Sequence, residues 1–123
     1  MLFRSYRCYL LLDQPKKAVK VLNAYLKDDP CAIQLLPPNL LNNIAYEMAL
    51  KHQDLDSALH LVEAAVKEEP LNPSFIDTYA YILYLKGDKE MAQILLNTAI
   101  RLLEQNNTPL PSEIKKHQKM FNR

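Results

Sequence analysis

Apolar residues recur at helical spacing along most of this chain, and polar residues fill the positions between them. In residues 39–52, for example, Leu41, Ile44, Ala45 and Met48 fall on one face of a helix. The same spacing predicts further helices over residues 2–12, 15–27, 55–67, 74–86, 89–104 and about 111–121. The pattern therefore predicts an all-α protein.

Residues that start and stop helices stand at the predicted boundaries. Pro15 and Pro38 suit the first turn of a helix, where the missing N–H costs nothing. Asp54 and Asp88 are suited to cap the helices that follow them. Gly87 is expected to end the helix at about residue 86 in a left-handed conformation that glycine adopts cheaply. These local signals agree with the periodicity.

The helical pattern also repeats along the chain. The matched positions are Ala58, Val62 and Ala65 in one copy and Ala92, Leu96 and Ala99 in a copy 34 residues later. An upstream copy, offset by 40 residues, has Ala18, Leu22, Tyr25 and Pro30 at the corresponding places. A period near 34 with helical spacing inside each copy is typical of stacked helical hairpins.

These matches resemble the tetratricopeptide repeat, a helix–turn–helix unit of about 34 residues. The small residues of that family match Ala45 and Ala80 in the first helices and Ala18, Ala58 and Ala92 in the second helices. The resemblance implies a right-handed α-solenoid in a single domain, residues 1–123. It would contain three hairpins, at about residues 1–30, 38–70 and 73–104, and a capping helix at about 111–121.

The resemblance also implies a function and a binding surface. Repeats of this family bind a peptide or a partner helix on a concave face formed by the first helix of each pair. On this chain the exposed positions of that face would be Arg4, Arg7, Asn42, Asn43, Tyr46, Asp77, Tyr81 and Tyr84. Tyrosine suits partner recognition, although these tyrosines have the alternative of packing between adjacent helices.

One binding mode of the family is not predicted here. Members that grip the C-terminal carboxylate of chaperones use a set of lysine, arginine and asparagine residues on the concave face. The matching positions of this chain are Phe3, Arg7, Asn43, Ser74 and Thr78, which retain only fragments of that set.

Catalytic, metal and cofactor chemistry find little support in the sequence. The chain has a single glycine, Gly87, so it cannot form the glycine-rich loops that cradle phosphates or dinucleotides. The histidines His52, His60 and His117 lack metal-ligand spacing and are each expected to be solvated. We therefore predict a non-catalytic protein-interaction adaptor that needs no metal and no cofactor.

Charge and the N-terminal segment leave two alternatives open. The net charge of +1 gives no general attraction to nucleic acid, which makes an RNA-binding helical repeat the weaker alternative. Residues 2–12 are rich in apolar side chains, which favours self-association or membership of a larger assembly through this segment. No signal peptide or membrane-spanning segment is evident, so we expect a cytoplasmic protein without membrane insertion.

Overall fold

The computed structural model describes residues 36–122, and in that range the chain is all-α, without strands. Five helices lie in this range, namely α1 (Pro38–Leu50), α2 (Leu55–Glu68), α3 (Pro73–Leu85), α4 (Lys89–Gln105) and α5 (Ser112–Phe121). The all-α prediction is confirmed for these residues. The predicted helices at 2–12 and 15–27, the first repeat at 1–30 and the candidate binding residues Arg4 and Arg7 lie outside the described residues.

The ends of the five helices agree with the sequence signals to within two residues. The Asp54 side chain accepts a hydrogen bond from the Ser57 N–H at 3.3 Å, and Asp88 accepts one from the Met91 N–H at 3.2 Å. Gly87 has a φ of 99°, a conformation that residues with a Cβ atom adopt only at a cost. The predicted caps and the glycine stop are therefore confirmed.

The start of α3 depends on a cap that the sequence analysis missed. The Asn72 side chain accepts hydrogen bonds from the backbone N–H groups of Ser74 at 3.0 Å and Phe75 at 3.4 Å. Pro73 occupies the first turn, where no N–H is needed. Together these residues fix where α3 begins, and hence which of its side chains face α1.

Each helix packs on the next one along the chain, and α1 also contacts α3 directly. One buried cluster joins α1, α2 and α3, and its largest fully buried side chains are Phe75, Leu41, Ile44, Met48, Ile82 and Val62. A second cluster joins α3, α4 and α5 through Ala80, Leu96, Leu103 and Ile114. Helix α5 is thus part of the packed structure, and it contacts both α4 and α3.

Small residues occupy buried positions between the helices. The alanines at the matched repeat positions are all fully buried, at 0% exposure, and they are Ala45, Ala58, Ala65, Ala80, Ala92 and Ala99. A methyl side chain lets two helix backbones approach, while larger neighbours such as Leu96 fill the adjacent space. The predicted burial of these positions is confirmed.

The outer surface is polar along α2 and α5. Asp56 of α2 forms an ion pair and hydrogen bond with Lys86, which follows α3, and this bond holds the pKa of the Asp56 carboxyl below its usual range. Lys115, Lys116 and Lys119 of α5 are exposed, as predicted. Of the helices between residues 36 and 122, none has both the length and the apolar character needed to span a membrane.

Candidate functional site

The candidate binding residues of α1 and α3 lie on facing sides of neighbouring helices. Asn43 is exposed, whereas Asn42, Tyr46 and Tyr84 are half-buried. The rings of Tyr46 and Tyr81 lie with their centroids 6.0 Å apart and their planes tilted by 52°. The structure therefore brings α1 and α3 together at this surface.

Helix α5 packs against this surface, and His117 contacts three of the candidate residues. The imidazole stacks on the Tyr81 ring at 4.5 Å between centroids and 13° between planes. It also meets the Tyr46 ring edge-on at 6.4 Å and 65°. Such aromatic pairs contribute about 0.5–1.5 kcal/mol each beyond their burial, so His117 is a principal anchor of α5.

His117 also forms a buried pair with Asp77. Its Nδ1 atom lies 2.8 Å from Asp77 Oδ1, and the two side chains are only 2% and 5% exposed. An ionised carboxylate can only accept hydrogen bonds, so the Nδ1–H of His117 is the donor. Because a charge buried without a partner is costly, this contact fixes the position of α5 relative to α3.

Tyr84 anchors the C-terminal end of α5. Its hydroxyl donates a hydrogen bond to the backbone carbonyl of Met120 at 3.3 Å. Its ring stacks on Phe121 with centroids 4.5 Å apart, and Lys89 Nζ lies 5.7 Å from the same ring. Tyr84 is therefore occupied by contacts within the chain.

Two predictions about these residues are wrong. Asp77 and Tyr81 were expected to be exposed on the concave face, but they are 3% and 6% exposed. His117 was expected to be solvated, but it is 1% exposed. The reason is the same in each case, because α5 lies across α3 instead of covering only the end of the helix stack. Tyr81 instead packs between helices, as the sequence analysis allowed for the tyrosines.

A cleft of about 210 Å³ remains open beside the N-terminal end of α5. Helix α1 contributes Asn42, Asn43 and Tyr46, and α3 contributes Ser74, Asp77 and Thr78. Pro111, Glu113 and Ile114 form the third wall. The cleft thus joins four of the predicted binding residues, and the sequence analysis missed its third wall because that wall depends on the placement of α5.

The cleft contains several oxygen atoms that accept hydrogen bonds. Ser74 and Thr78 lie one turn apart on α3, and the Thr78 hydroxyl donates to the Ser74 carbonyl at 3.1 Å. With its proton used in this bond, the Thr78 oxygen has only acceptor capacity left. The carboxylates of Asp77 and Glu113 add further acceptors, so the cleft suits a ligand that carries hydrogen-bond donors.

The two charged side chains that line the cleft, Asp77 and Glu113, are both acidic. Tyr46 has a pKa raised to about 12, first by burial and then by the charges of Glu113 and Asp77. Burial likewise raises the pKa of Tyr81. Neither α1 nor α3 contains a lysine or an arginine, so no basic side chain of these helices offsets the carboxylates.

The remaining chemistry of the described region is limited. In residues 36–122, no three histidine, cysteine, aspartate or glutamate side chains are grouped so that they could hold a metal ion. No protein-family model matches the chain, and no curated protein matches its sequence. The tetratricopeptide resemblance therefore stays a prediction, and the function is inferred from the geometry of the site.

Proposed function

We propose that this chain is a non-catalytic protein-interaction module, built from helical hairpins of the tetratricopeptide type, that holds a peptide segment of a partner. The observation that carries this proposal is the open cleft between α1, α3 and the start of α5. It lies on the first helix of each predicted pair, which is the surface that repeats of this type use for binding.

The packing of the helices supports the architectural part of the proposal. Consecutive helices contact each other and α1 also contacts α3, as expected when one helical hairpin stacks on the next. The buried alanines recur in both pairs at the repeat spacing. A right-handed solenoid of three hairpins, the first of them at residues 1–30, is the arrangement we propose for the whole chain.

Helix α5 restricts the surface on which a partner binds. Asp77, Tyr81 and Tyr84 are engaged by α5 through His117, Met120 and Phe121. The residues left to a partner are Asn42, Asn43 and Tyr46, the rim at Glu113, and the part of Asp77 that lines the cleft. In this proposal α5 shapes a short, polar site and closes the long groove that stacked helices would otherwise present.

The Asp77–His117 pair raises the question of a catalytic function. An aspartate and the histidine that it orients are two of the three members of a nucleophile-activating triad. However, within residues 36–122 no serine, threonine or cysteine forms a hydrogen bond with His117, and His117 does not line the cleft. The pair is better explained as the anchor of α5.

RNA binding and self-association concern different parts of the chain. RNA binding is disfavoured because no lysine or arginine is among the residues that line the cleft, whose charged members are Asp77 and Glu113. Self-association through residues 2–12 concerns a segment outside the described residues, and a concentration series of solution mass measurements distinguishes it from a monomeric adaptor.

The test is selection of displayed random peptides on the full-length chain, followed by fluorescence anisotropy with the selected peptides. We expect Asn43→Arg, which places a large side chain at the cleft, to weaken binding by about tenfold or more, as loss of a good interface contact does. His60→Arg is the matched control, because His60 is exposed on α2 away from the cleft.

The proposal fails if no peptide is selected, or if the selected peptides bind the two variants equally well. Circular dichroism and thermal unfolding of both variants establish that the comparison is made between folded proteins. Asn43 is exposed, so its replacement is expected to leave the fold intact.

A further inference from the structure

We propose that the cleft between α1, α3 and α5 is a receptor for a basic side chain, an arginine of the partner peptide. This inference rests on the proposed function and adds to it the chemical class of the residue recognised. Some members of the family that the chain resembles bind a carboxylate with basic side chains. The cleft of this chain would instead bind a basic group with carboxylates. Three features of the cleft support this inference within the described residues. The first is a buried carboxylate with one oxygen that accepts no hydrogen bond, and the second is a carboxylate at the rim that forms no ion pair. The third is a polar lining with hydrogen-bond acceptors.

The first feature is the second carboxylate oxygen of Asp77. The Oδ1 atom accepts the hydrogen bond from His117, and no other hydrogen bond to the Asp77 side chain is formed within residues 36–122. The side chain is only 5% exposed, yet it lines the cleft. A carboxylate oxygen that is withdrawn from water gains most from a charged donor brought to it by a ligand.

The second feature is the carboxylate of Glu113, which is exposed at the rim. In the described part of the chain it forms no ion pair, although lysines follow it on α5. Two carboxylates therefore line one cleft, one deep and one at the rim. A guanidinium group carries five N–H donors in a planar fork, so it suits a site that offers more than one acceptor.

The third feature is the polar lining between the carboxylates. Thr78 offers only acceptor capacity, because its hydroxyl proton is donated to the Ser74 carbonyl. Asn42 also lines the cleft. The raised pKa of Tyr46, caused by burial and then by Glu113 and Asp77, indicates that this ring lies in a negative field.

Arginine suits this lining better than lysine does. A lysine ammonium is a compact, strongly hydrated charge with three donors, whereas a guanidinium is more weakly hydrated and presents donors in several directions. Tyr46 also lines the cleft, and an aromatic ring attracts a nearby cation. The cleft volume of about 210 Å³ leaves room for the group together with ordered water.

The experiment is an NMR titration of the full-length, isotope-labelled chain with capped single amino acids. The probes are N-acetyl-arginine amide and N-acetyl-citrulline amide, which has nearly the same shape without the charge. We expect saturable shifts of the Asn42, Asn43 and Thr78 amide signals with the arginine probe. We expect the citrulline probe to bind about tenfold more weakly, because it lacks the charge-assisted hydrogen bonds.

Glu113→Gln and Glu104→Gln form the matched pair of variants, since both residues are exposed but Glu104 lies on α4 and does not line the cleft. We expect Glu113→Gln to weaken the arginine probe by roughly two- to fivefold, the usual range for a solvent-accessible charge pair. Glu104→Gln is expected to have no effect.

Equal binding of the two probes, shifts that do not saturate, or equal effects of the two variants would overturn the inference. The outcome is independent of the peptide selection. If selected peptides bind at Asn43 but the arginine probe is not preferred, the interaction module stands and the inferred ligand class is wrong. If neither peptides nor probes bind, both proposals fail.

Discussion

The Asp77–His117 contact is the most informative single pair in the molecule. Ionisable groups are seldom buried, because moving a charge out of water costs several kcal/mol unless a partner compensates. Here the partner lies 40 residues away in sequence, and the hydrogen bond also orients the imidazole for stacking on Tyr81. The pair thus determines where α5 attaches and which candidate binding residues of α1 and α3 stay accessible to a partner.

A double-mutant cycle tests this role. Asp77→Ala and His117→Ala are each expected to destabilise the fold by about 3–5 kcal/mol, because each leaves a buried group without its partner. The double variant is expected to cost less than the sum of the two, with a coupling energy of about 1–3 kcal/mol in urea unfolding. The exposed pair Asp56–Lys86 is the control, and equal coupling in both cycles would contradict the anchoring role.

Tyr46 gives the protein a predictable response to alkaline pH. Its pKa in the folded state is raised to about 12, whereas an unfolded tyrosine has a pKa of about 10. The folded state therefore holds the phenolic proton more tightly than the unfolded state does. The resulting stability is fully present below about pH 10 and is lost as the pH rises towards 12.

Tyr46→Phe removes this titration without removing the ring. We expect the variant to lose less stability than the parent protein between about pH 10 and pH 12. Urea midpoints measured at intervals across that range supply the comparison. Burial raises the pKa of Tyr79 and Tyr81 as well, so the variant keeps part of the dependence. Identical pH profiles for the two proteins would show that Tyr46 is not protected in the fold.

At the scale of the helices, the boundaries are set by side chains close in sequence to the backbone groups they satisfy. Asp54, Asn72 and Asp88 each accept a hydrogen bond from an N–H in the first turn of the following helix. These contacts require only the right residue two or three positions away, so sequence spacing is sufficient to predict them. The cap at Asn72 was not predicted, because the prolines on both sides of it already indicate a turn without any contribution from Asn72.

The cap at Asn72 is expected to stabilise the fold measurably. Asn72→Ala removes the acceptor for the N–H groups of Ser74 and Phe75, and we expect a loss of about 1 kcal/mol. Asn72→Ser keeps an acceptor oxygen without adding charge and should lose only part of this. Thermal or urea unfolding measures the stability of the two variants. Equal losses of stability would mean that the hydrogen bonds of the cap contribute nothing.

At the scale of the whole molecule, α5 distinguishes this protein from a plain stack of hairpins. Its side chains Ile114, His117 and Phe121 recur at helical spacing, and Ile114 is buried against Ala80, Leu96 and Leu103. Its opposite face carries exposed lysines. The helix is therefore amphipathic, and it buries its apolar face on α3 and α4 while forming one wall of the cleft.

Ile114→Ala tests whether α5 belongs to the cooperative core. We expect a loss of about 2–5 kcal/mol, because a buried aliphatic side chain is replaced by a cavity. Lys115→Ala, on the exposed face of the same helix, is expected to stay within about 0.5 kcal/mol of the parent protein. If urea unfolding finds the two variants equally stable, α5 does not contribute to the core.

The sequence by itself determined the helices of residues 36–122, most of their ends and the buried alanines between them. These features follow from spacing along the chain and from contacts a few residues apart, which a linear pattern records. It also singled out Asn42, Asn43 and Tyr46 as residues of one surface. The tertiary structure decided where α5 lies, and with it the burial of Asp77 and Tyr81, the pairing of His117 and the third wall of the cleft. An amphipathic pattern predicts which face of a helix is buried. The surface against which that face packs depends on contacts between distant parts of the chain.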